Sequence, residues 1–144
     1  MSVFAAEQPI IDRIQAQVTS LAFVGSISAL EVFETVPPLP SVIVRPLGSA
    51  AEDDPHDGAF QIETQTWEIT LLVGHEQGDT TDTTTVSQAG TLIYSIMQAL
   101  VGFRPATGYM AMSYRGRSDP YYEPGYGEFP ILFDTGLVIQ GLGN

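Results

Sequence analysis

One amphipathic stretch near the middle of the chain constrains the fold most. Between Val86 and Pro105 the sequence reads VSQAGTLIYSIMQALVGFRP. Its apolar side chains recur every three or four residues, the spacing that places them on one side of an α-helix. The residues expected to face the core are Val86, Ala89, Ile93, Ile96, Met97, Leu100 and Val101. The stretch therefore predicts a helix that packs across a sheet.

Both ends of this helix carry recognisable signals. Thr83, Thr84 and Thr85 precede it, and a threonine hydroxyl can accept a hydrogen bond from a backbone N–H of the first turn. Gly102 suits the left-handed residue that commonly ends a helix, and Pro105 cannot continue one. We therefore expect the helix to lie between the threonines and Gly102.

The chain before this helix predicts one more helix and three strands. Residues 7–24 place Ile10, Ile14 and Val18 on one side of a helix that Gly25 would end. The following run alternates as a strand does, whereas the prolines after it suit a stiff connector. The three predicted strands are Ser26–Phe33, Ser41–Arg45 and Phe60–Gly74.

The third of these strands gives the strongest strand signal. Trp67, Ile69 and Leu71 alternate with polar residues, which predicts one buried face that includes Trp67. If the polar residues 48–60 close a hairpin, the second and third strands pair antiparallel. The longer strand would then project beyond the core.

After the central helix we expect two strands, Tyr109–Tyr114 and Phe129–Gln140, joined by an aromatic loop. Pro130 fits an edge strand or the start of a strand, because it lacks the N–H that a central strand needs. The prediction is a single α+β domain over residues 1–144, with an antiparallel or mixed sheet and two packed helices. Its order is helix, strand, strand, strand, helix, strand, strand, with extended loops near residues 48–60 and 115–128.

Charge and composition limit the function. The five basic residues are all arginine, against seventeen acidic ones, for a net charge of −12. This balance disfavours binding to nucleic-acid phosphates, although an acidic channel could let DNA pass without sticking. Cysteine and lysine are absent, which excludes thiol and Schiff-base chemistry. No apolar run reaches the roughly 18 residues that span a bilayer, so we expect a protein made and used in solution.

An enzyme is not expected, since no catalytic motif is present. Two acids far apart in sequence could still meet for glycoside hydrolysis, but nothing singles out a pair. The acidic loop that contains Glu52, Asp53, Asp54, His56 and Asp57 does not match a calcium loop and is expected to be solvated. We therefore predict no metal and no cofactor. The acidic loop could still meet the basic surface of a partner.

The aromatic segment 109–129 is a candidate interface, because Tyr and Arg are enriched at protein interfaces. Two alternatives stay open: the rings simply pack inward, or they stack on single-stranded bases, which the negative charge disfavours. Together with the acidic loop, the candidate interface residues are Glu52, Asp53, Asp54, Asp57, Phe60, Tyr109, Tyr114, Arg115, Arg117, Tyr121, Tyr122, Tyr126 and Phe129.

The order of elements, the run ALVGFRP at residues 99–105, the strand Tyr109–Tyr114 and the run FPILFDT at residues 129–135 resemble the tail-terminator (tail-completion) proteins of long-tailed bacteriophages. The resemblance extends from about Pro9 to Val138. It implies a small subunit of the virion, assembled in the host cytoplasm as a hexameric ring. Such a ring caps the tail tube, ends its polymerisation and docks onto the head connector. The implied partners are further copies of the chain, the tail tube protein, a head-completion or connector protein, and DNA that passes through the lumen.

A closed ring requires that each subunit have two different contact surfaces. Residues 48–66 and 109–129 are the candidates for these surfaces. Two alternatives remain. The chain could be another neck or tube component, such as a head-completion stopper or a tail tube subunit. It could also be a monomeric ligand-binding domain with a pocket between helix and sheet.

Overall fold

Two antiparallel strands of fifteen residues each form the centre of the sheet. The computed structural model describes residues 1–32, 36–53, 58–74 and 83–142. The elements in chain order are α1 (Glu7–Gln17), β1 (Phe23–Ser26), a 3₁₀ helix (Ile27–Val32), β2 (Ser41–Ala51), β3 (Phe60–Gly74), α2 (Thr83–Leu100), β4 (Ser113–Arg117), β5 (Tyr121–Glu123) and β6 (Tyr126–Gln140).

The sheet is mixed and open, with the strand order β1-β2-β3-β6-β4, and β5 pairs with β6 beside β4. β1 runs parallel to β2, and the other neighbours are antiparallel. Both helices pack against the sheet and against each other. The Arg13 Nε donates a 2.9 Å hydrogen bond to the backbone carbonyl of Ala99 and so links α1 to α2. The predicted α+β class, with two helices on a mixed sheet, is confirmed.

The core lies between the helices and one face of the sheet. The alternation in β3 is confirmed, because Trp67, Ile69 and Leu71 are completely buried. Each such side chain contributes about 1.5–3 kcal/mol by leaving water. β6 adds Phe129, Ile131 and Phe133, and α1 adds Ile10, Ile11 and Ile14.

The central helix begins at Thr83, so the three threonines form its first turn instead of preceding it. Gly102 has a φ of 81°, which confirms the left-handed residue after its end. Ala89, Ile93, Ile96 and Leu100 are buried as expected, together with Leu92 and Ala99. Val86 and Val101 are more than half exposed, so their assignment to the core is wrong. At 100° per residue they lie about 80° and 140° around the helix from Ile96.

The first helix is shorter than predicted, since α1 ends at Gln17 rather than near Val24. Val18 leaves the helical region with φ −116° and ψ 78°. The chain turns there so that Phe23–Ser26 can pair with Ser41–Val44. The prediction of a strand from Ser26 to Phe33 is also wrong: residues 27–32 form the 3₁₀ helix, and Phe33 lies outside the described residues.

The predicted hairpin is confirmed. Ser41 pairs with Leu72 and Ala51 pairs with Glu63, with a register shift between Pro46 and Gly48. β2 is longer than expected because it continues past Arg45 through this bulge to Ala51. The distal halves of β2 and β3 carry mostly exposed or half-buried side chains.

The segment 109–114 is not one continuous strand, contrary to expectation. Tyr109 makes an isolated bridge to Leu137, and β4 begins only at Ser113. The Met110 N–H still donates to the Gly136 carbonyl of β6. Beyond it the chain leaves the sheet, because the Met112 N–H donates to the Phe103 carbonyl and the Gly102 N–H donates to the Met112 carbonyl.

Pro130 is the fifth residue of β6, which is an interior strand, so the prediction that it lies in an edge strand or at the start of a strand is wrong. Its carbonyl accepts a 3.3 Å hydrogen bond from Ser118, between β4 and β5. In an antiparallel ladder the N–H and C=O of one residue point the same way. The nitrogen of Pro130 therefore faces the gap between the two short strands, where its missing proton interrupts no ladder.

Candidate functional site

The β4–β5 side of the sheet forms one exposed edge that is rich in tyrosine and arginine. Tyr114 is 39% exposed, Tyr121 56% and Tyr122 51%. β4 and β5 each pair with β6 alone, so their outer backbone groups meet no further strand within the described residues. We call this surface the aromatic edge. It consists of Tyr114, Arg115, Arg117, Tyr121, Tyr122 and Tyr126.

Two of its rings are fixed by the core beneath them. The ring centroid of Tyr114 lies 5.8 Å from that of Phe133, and the centroid of Tyr122 lies 6.0 Å from that of Phe129, both in edge-on geometry. Such pairs contribute about 0.5–1.5 kcal/mol beyond the area they bury. The rings are therefore held in place while part of each surface faces outward.

A groove of about 310 Å³ separates α2 from this edge. Ile93 and Phe129 line its inner part, and Tyr114, Arg117 and Asp119 are among the residues around it. Arg117 is exposed and forms no ion pair within the described residues. The groove therefore presents a cation beside an apolar floor.

The other arginine of the aromatic edge is paired. The Arg115 Nη1 lies 2.6 Å from the Asp134 Oδ2, and the Thr66 hydroxyl donates to the Asp134 Oδ1 at 2.8 Å. The Arg115 side chain is more than half exposed, so water screens the ion pair and it contributes about 0–1 kcal/mol. It orients Arg115 across the sheet face that α1 and α2 leave uncovered.

Acidic side chains gather on that same uncovered face near β5. The Tyr121 hydroxyl donates to the Glu123 Oε1 at 2.8 Å, and this bond is the main reason that the pKa of Tyr121 is raised. Burial raises the pKa of Tyr126, with Glu128 and Glu123 adding to the shift. Burial also raises the pKa of Glu128, as do the charges of Glu123 and Glu68.

The second candidate surface lies at the distal end of the β2–β3 hairpin. The Glu52 carboxylate accepts a 2.9 Å hydrogen bond from the Thr64 hydroxyl, and its backbone carbonyl accepts one from the Gln61 side chain. Asp53 is exposed, whereas Phe60 is half-buried at the start of β3. Asp54 and Asp57 lie outside the described residues.

Tyr109 and Phe129 do not belong to the exposed surface. Tyr109 is 2% exposed and Phe129 is 7% exposed, so these two rings pack inward. Burial raises the pKa of Tyr109, against the lowering effect of its hydrogen bond to Gln65. Their place in the core follows from the β6 register and from the turn at Gly108, which sequence spacing does not reveal.

Sequence reasoning missed an apolar cluster beside the hairpin, which we call the N-terminal cluster: Val3, Phe4 and Leu47. These side chains are 50%, 56% and 46% exposed. They line a cavity of about 400 Å³ together with residues that include Glu63, Gln65 and Trp67. The Gln65 Nε2 donates a 2.8 Å hydrogen bond to the Val3 carbonyl and so holds the segment there. The sequence signal that could have predicted this cluster is the pair of apolar residues, Val3 and Phe4, just before α1.

The rest of the described chain offers little that resembles a chemical site. No group of three His, Asp or Glu side chains within it is placed to hold a metal ion. None of its helices is long and apolar enough to cross a membrane. The exposed edges at the two sides of the sheet are therefore the leading functional candidates.

A family model described as "Phage tail terminator protein" matches residues 1–143. The fold is similar to that of a chain in the solved virion of a native gene transfer agent particle, with a TM-score of 0.64 and 11% sequence identity. The similarity covers 96% of this chain and 99% of that chain. At this identity the likeness concerns the fold alone. No curated protein sequence matches the chain.

Proposed function

Because the chain belongs to the phage tail terminator family and so is a structural protein of the virion tail, we propose that it forms a hexameric ring that caps the tail tube. In this role it is not an enzyme. The ring ends tube polymerisation and joins the tube to the head connector. Its partners are further copies of itself, the tail tube protein on one side and a head-completion or connector protein on the other.

The observation that carries this proposal is a sheet left open at both sides. β1 pairs only with Ser41–Val44, so β2 from Arg45 to Ala51 has no outer neighbour among the described strands. At the opposite side, β4 likewise has no outer neighbour among the described strands. Free strand edges carry backbone donors and acceptors that can pair with another chain.

Two different open sides suit a head-to-tail contact. When one surface of a subunit binds a different surface of the next, the assembly grows as a ring if its rotation closes. The hairpin surface contributes Glu52, Asp53, Asp54, Asp57 and Phe60. The aromatic edge supplies the matching surface, with Phe133 and Phe129 supporting two of its rings from beneath.

The acidic balance of the chain suits a lumen through which DNA slides. A wall of negative charge repels phosphates and so prevents sticking. Replacing Glu52, Asp53, Asp54 and Asp57 by their amides is then expected to slow DNA ejection from assembled particles. Ejection at the wild-type rate would show that these four residues do not act on DNA in the lumen.

The ring itself is tested by light scattering coupled to size exclusion, over a range of protein concentrations and with or without tail tube subunits. We expect either a closed oligomer or a monomer that becomes a ring and stops tube growth when tube protein is added. A tail tube subunit would instead polymerise without limit. A chain that stays monomeric and indifferent to tube protein at every concentration would refute the proposal.

A further inference from the structure

One flank of α2 is apolar and faces outward. Val86 is 55% exposed, Tyr94 63% and Val101 55%. Together with Gly90 and the half-buried Met97 they fall within about 80–160° of Ile96 around the helix axis. We call these five residues the α2 stripe. None of the eighteen residues of α2 is charged, so no charged side chain of the helix lies beside the stripe.

Gly90 has no role inside the subunit that requires glycine. A methyl group added at its Cα would meet nothing within 4 Å. Glycine in a helix interior costs about 1 kcal/mol relative to alanine. A close approach by a second molecule would explain its presence, since glycine lets another backbone or side chain come near the helix.

The α2 stripe lies on the flank of the helix that faces β4. Ile93, next to the stripe, lines the groove that also contains Arg117. The other flank faces α1, because Arg13 of α1 binds the carbonyl of Ala99. Arg117 and Arg104 are exposed and form no ion pair within the described residues. In a chain of net charge −12, an unpaired cation, Arg117, therefore lies with Asp119 in the groove beside this flank of α2.

The N-terminal cluster has the opposite character at the opposite side of the subunit. Its three apolar side chains share their cavity with Glu63, and the exposed Glu52 and Asp53 lie at the end of the same hairpin. It borders the unpaired half of β2, whereas the α2 stripe borders β4. The strand order places β2 and β4 on opposite sides of β3 and β6.

We propose that the α2 stripe of one copy docks on the N-terminal cluster of the next copy, with Arg117 facing Glu63 across the contact. This inference rests on the ring proposed above. Both surfaces are apolar, an unpaired arginine lies near one and a glutamate near the other, and they lie on different sides of one chain, as a head-to-tail contact requires. An uncharged helix also lets two strongly acidic subunits approach at low electrostatic cost.

A charge exchange tests the pairing. Arg117→Glu and Glu63→Arg, made singly, should each raise the concentration needed for half-assembly by at least about tenfold, because each juxtaposes like charges. The double variant should restore assembly to near the wild-type concentration. Light scattering measures the assembly, and thermal unfolding of each variant checks that the fold is retained.

A steric pair tests the helix contact separately. Gly90→Leu should weaken assembly by a similar factor, since its side chain would occupy the space left for the neighbour. Gln88→Leu is the matched control: this exposed residue lies about 160° away around the helix, so assembly should be unchanged. Both variants place a good helix former in α2 and should fold.

The outcomes separate this inference from the ring. If the wild type forms a ring and Arg117→Glu, Glu63→Arg and Gly90→Leu assemble equally well, the ring stands and the proposed docking is overturned. If single charge variants weaken the ring but the double variant does not recover, Arg117 does not face Glu63 and the proposal fails. If the wild type never leaves the monomer with tube protein present, the proposed function fails and this contact falls with it.

Discussion

The hydroxyl of Tyr109 donates a 2.9 Å hydrogen bond to the backbone carbonyl of Val3, joining residues that are 106 positions apart. The same carbonyl accepts a second hydrogen bond from the Gln65 side chain. A buried tyrosine from the segment after α2 and a glutamine from β3 therefore fix the first residues of the chain. This arrangement holds Val3 and Phe4 beside the free half of β2, where the proposed contact needs them.

Replacing Tyr109 by phenylalanine tests this attachment. The change keeps the ring in the core but removes the donor, so the free energy of unfolding should fall by about 0.5–1.5 kcal/mol. Urea unfolding followed by the fluorescence of Trp67, the only tryptophan, measures the change. Tyr121→Phe is the control, because that hydroxyl binds Glu123 at an exposed site. Equal losses in both variants would contradict a special role for the Tyr109 bond.

The elements with a strong local period were predictable from the sequence. β3 and the buried side of α2 each lie against one apolar layer. The alternation of Trp67, Ile69 and Leu71 therefore predicts directly that these three side chains of β3 are buried. Val86 and Val101 were assigned to the core because an apolar residue at helical spacing looks the same whether the subunit or a partner covers it. Their exposure is visible only in the structure.

The parts that sequence could not predict depend on contacts between distant segments. Tyr109 is buried because Gly108 and Met110 bond to the far end of β6, and no local pattern records that register. The aromatic segment 109–129 was a candidate interface on composition alone, and its exposed rings Tyr114, Tyr121 and Tyr122 lie on β4 and β5. The N-terminal cluster was not predicted, because the sequence does not show that β2 brings Leu47 to the same cavity as Phe4.

Glycine to alanine at two positions should change stability in opposite directions. At Gly90 the added methyl group meets open space and improves helix propensity, so the variant should gain about 1 kcal/mol. At Gly102 there is also open space, but φ is 81°, and a left-handed conformation costs an alanine about 1–2 kcal/mol. Both free energies come from urea unfolding, and each variant serves as the control for the other. A loss of stability at Gly90 would show that its environment is not open.

Ser41 carries the one buried side-chain oxygen without a hydrogen-bond partner in the described part of the chain. The residue is completely buried where β2 begins, paired with Leu72. A buried polar group left without a partner costs about 1–3 kcal/mol. Ser41→Ala removes that group with little change of shape, so we expect a gain of about 1 kcal/mol in unfolding free energy. Ser49→Ala, at an exposed position on the same strand, should change nothing. A clear loss at Ser41 would mean that the hydroxyl has a partner.

Glu128 should make stability depend on pH in a defined direction. Its pKa is raised above 4.5 by burial and by the charges of Glu123 and Glu68, and Arg45 only partly opposes them. The folded state therefore takes up the proton at a higher pH than the unfolded state does. The resulting stabilisation is fully present below pH 4.5 and is lost as the pH rises through the folded-state pKa.

Replacing Glu128 by glutamine removes this dependence by fixing the neutral form. At pH 7 the variant should unfold at a higher urea concentration than the wild type, because no charge has to be kept among the neighbouring carboxylates. Below pH 4.5 the two midpoints should converge, since the wild-type side chain is then neutral in both states. Asp53→Asn removes one unit of charge at an exposed position and controls for the change in net charge. A difference between Glu128→Gln and the wild type that is the same at both pH values would assign the effect to packing rather than to titration of Glu128.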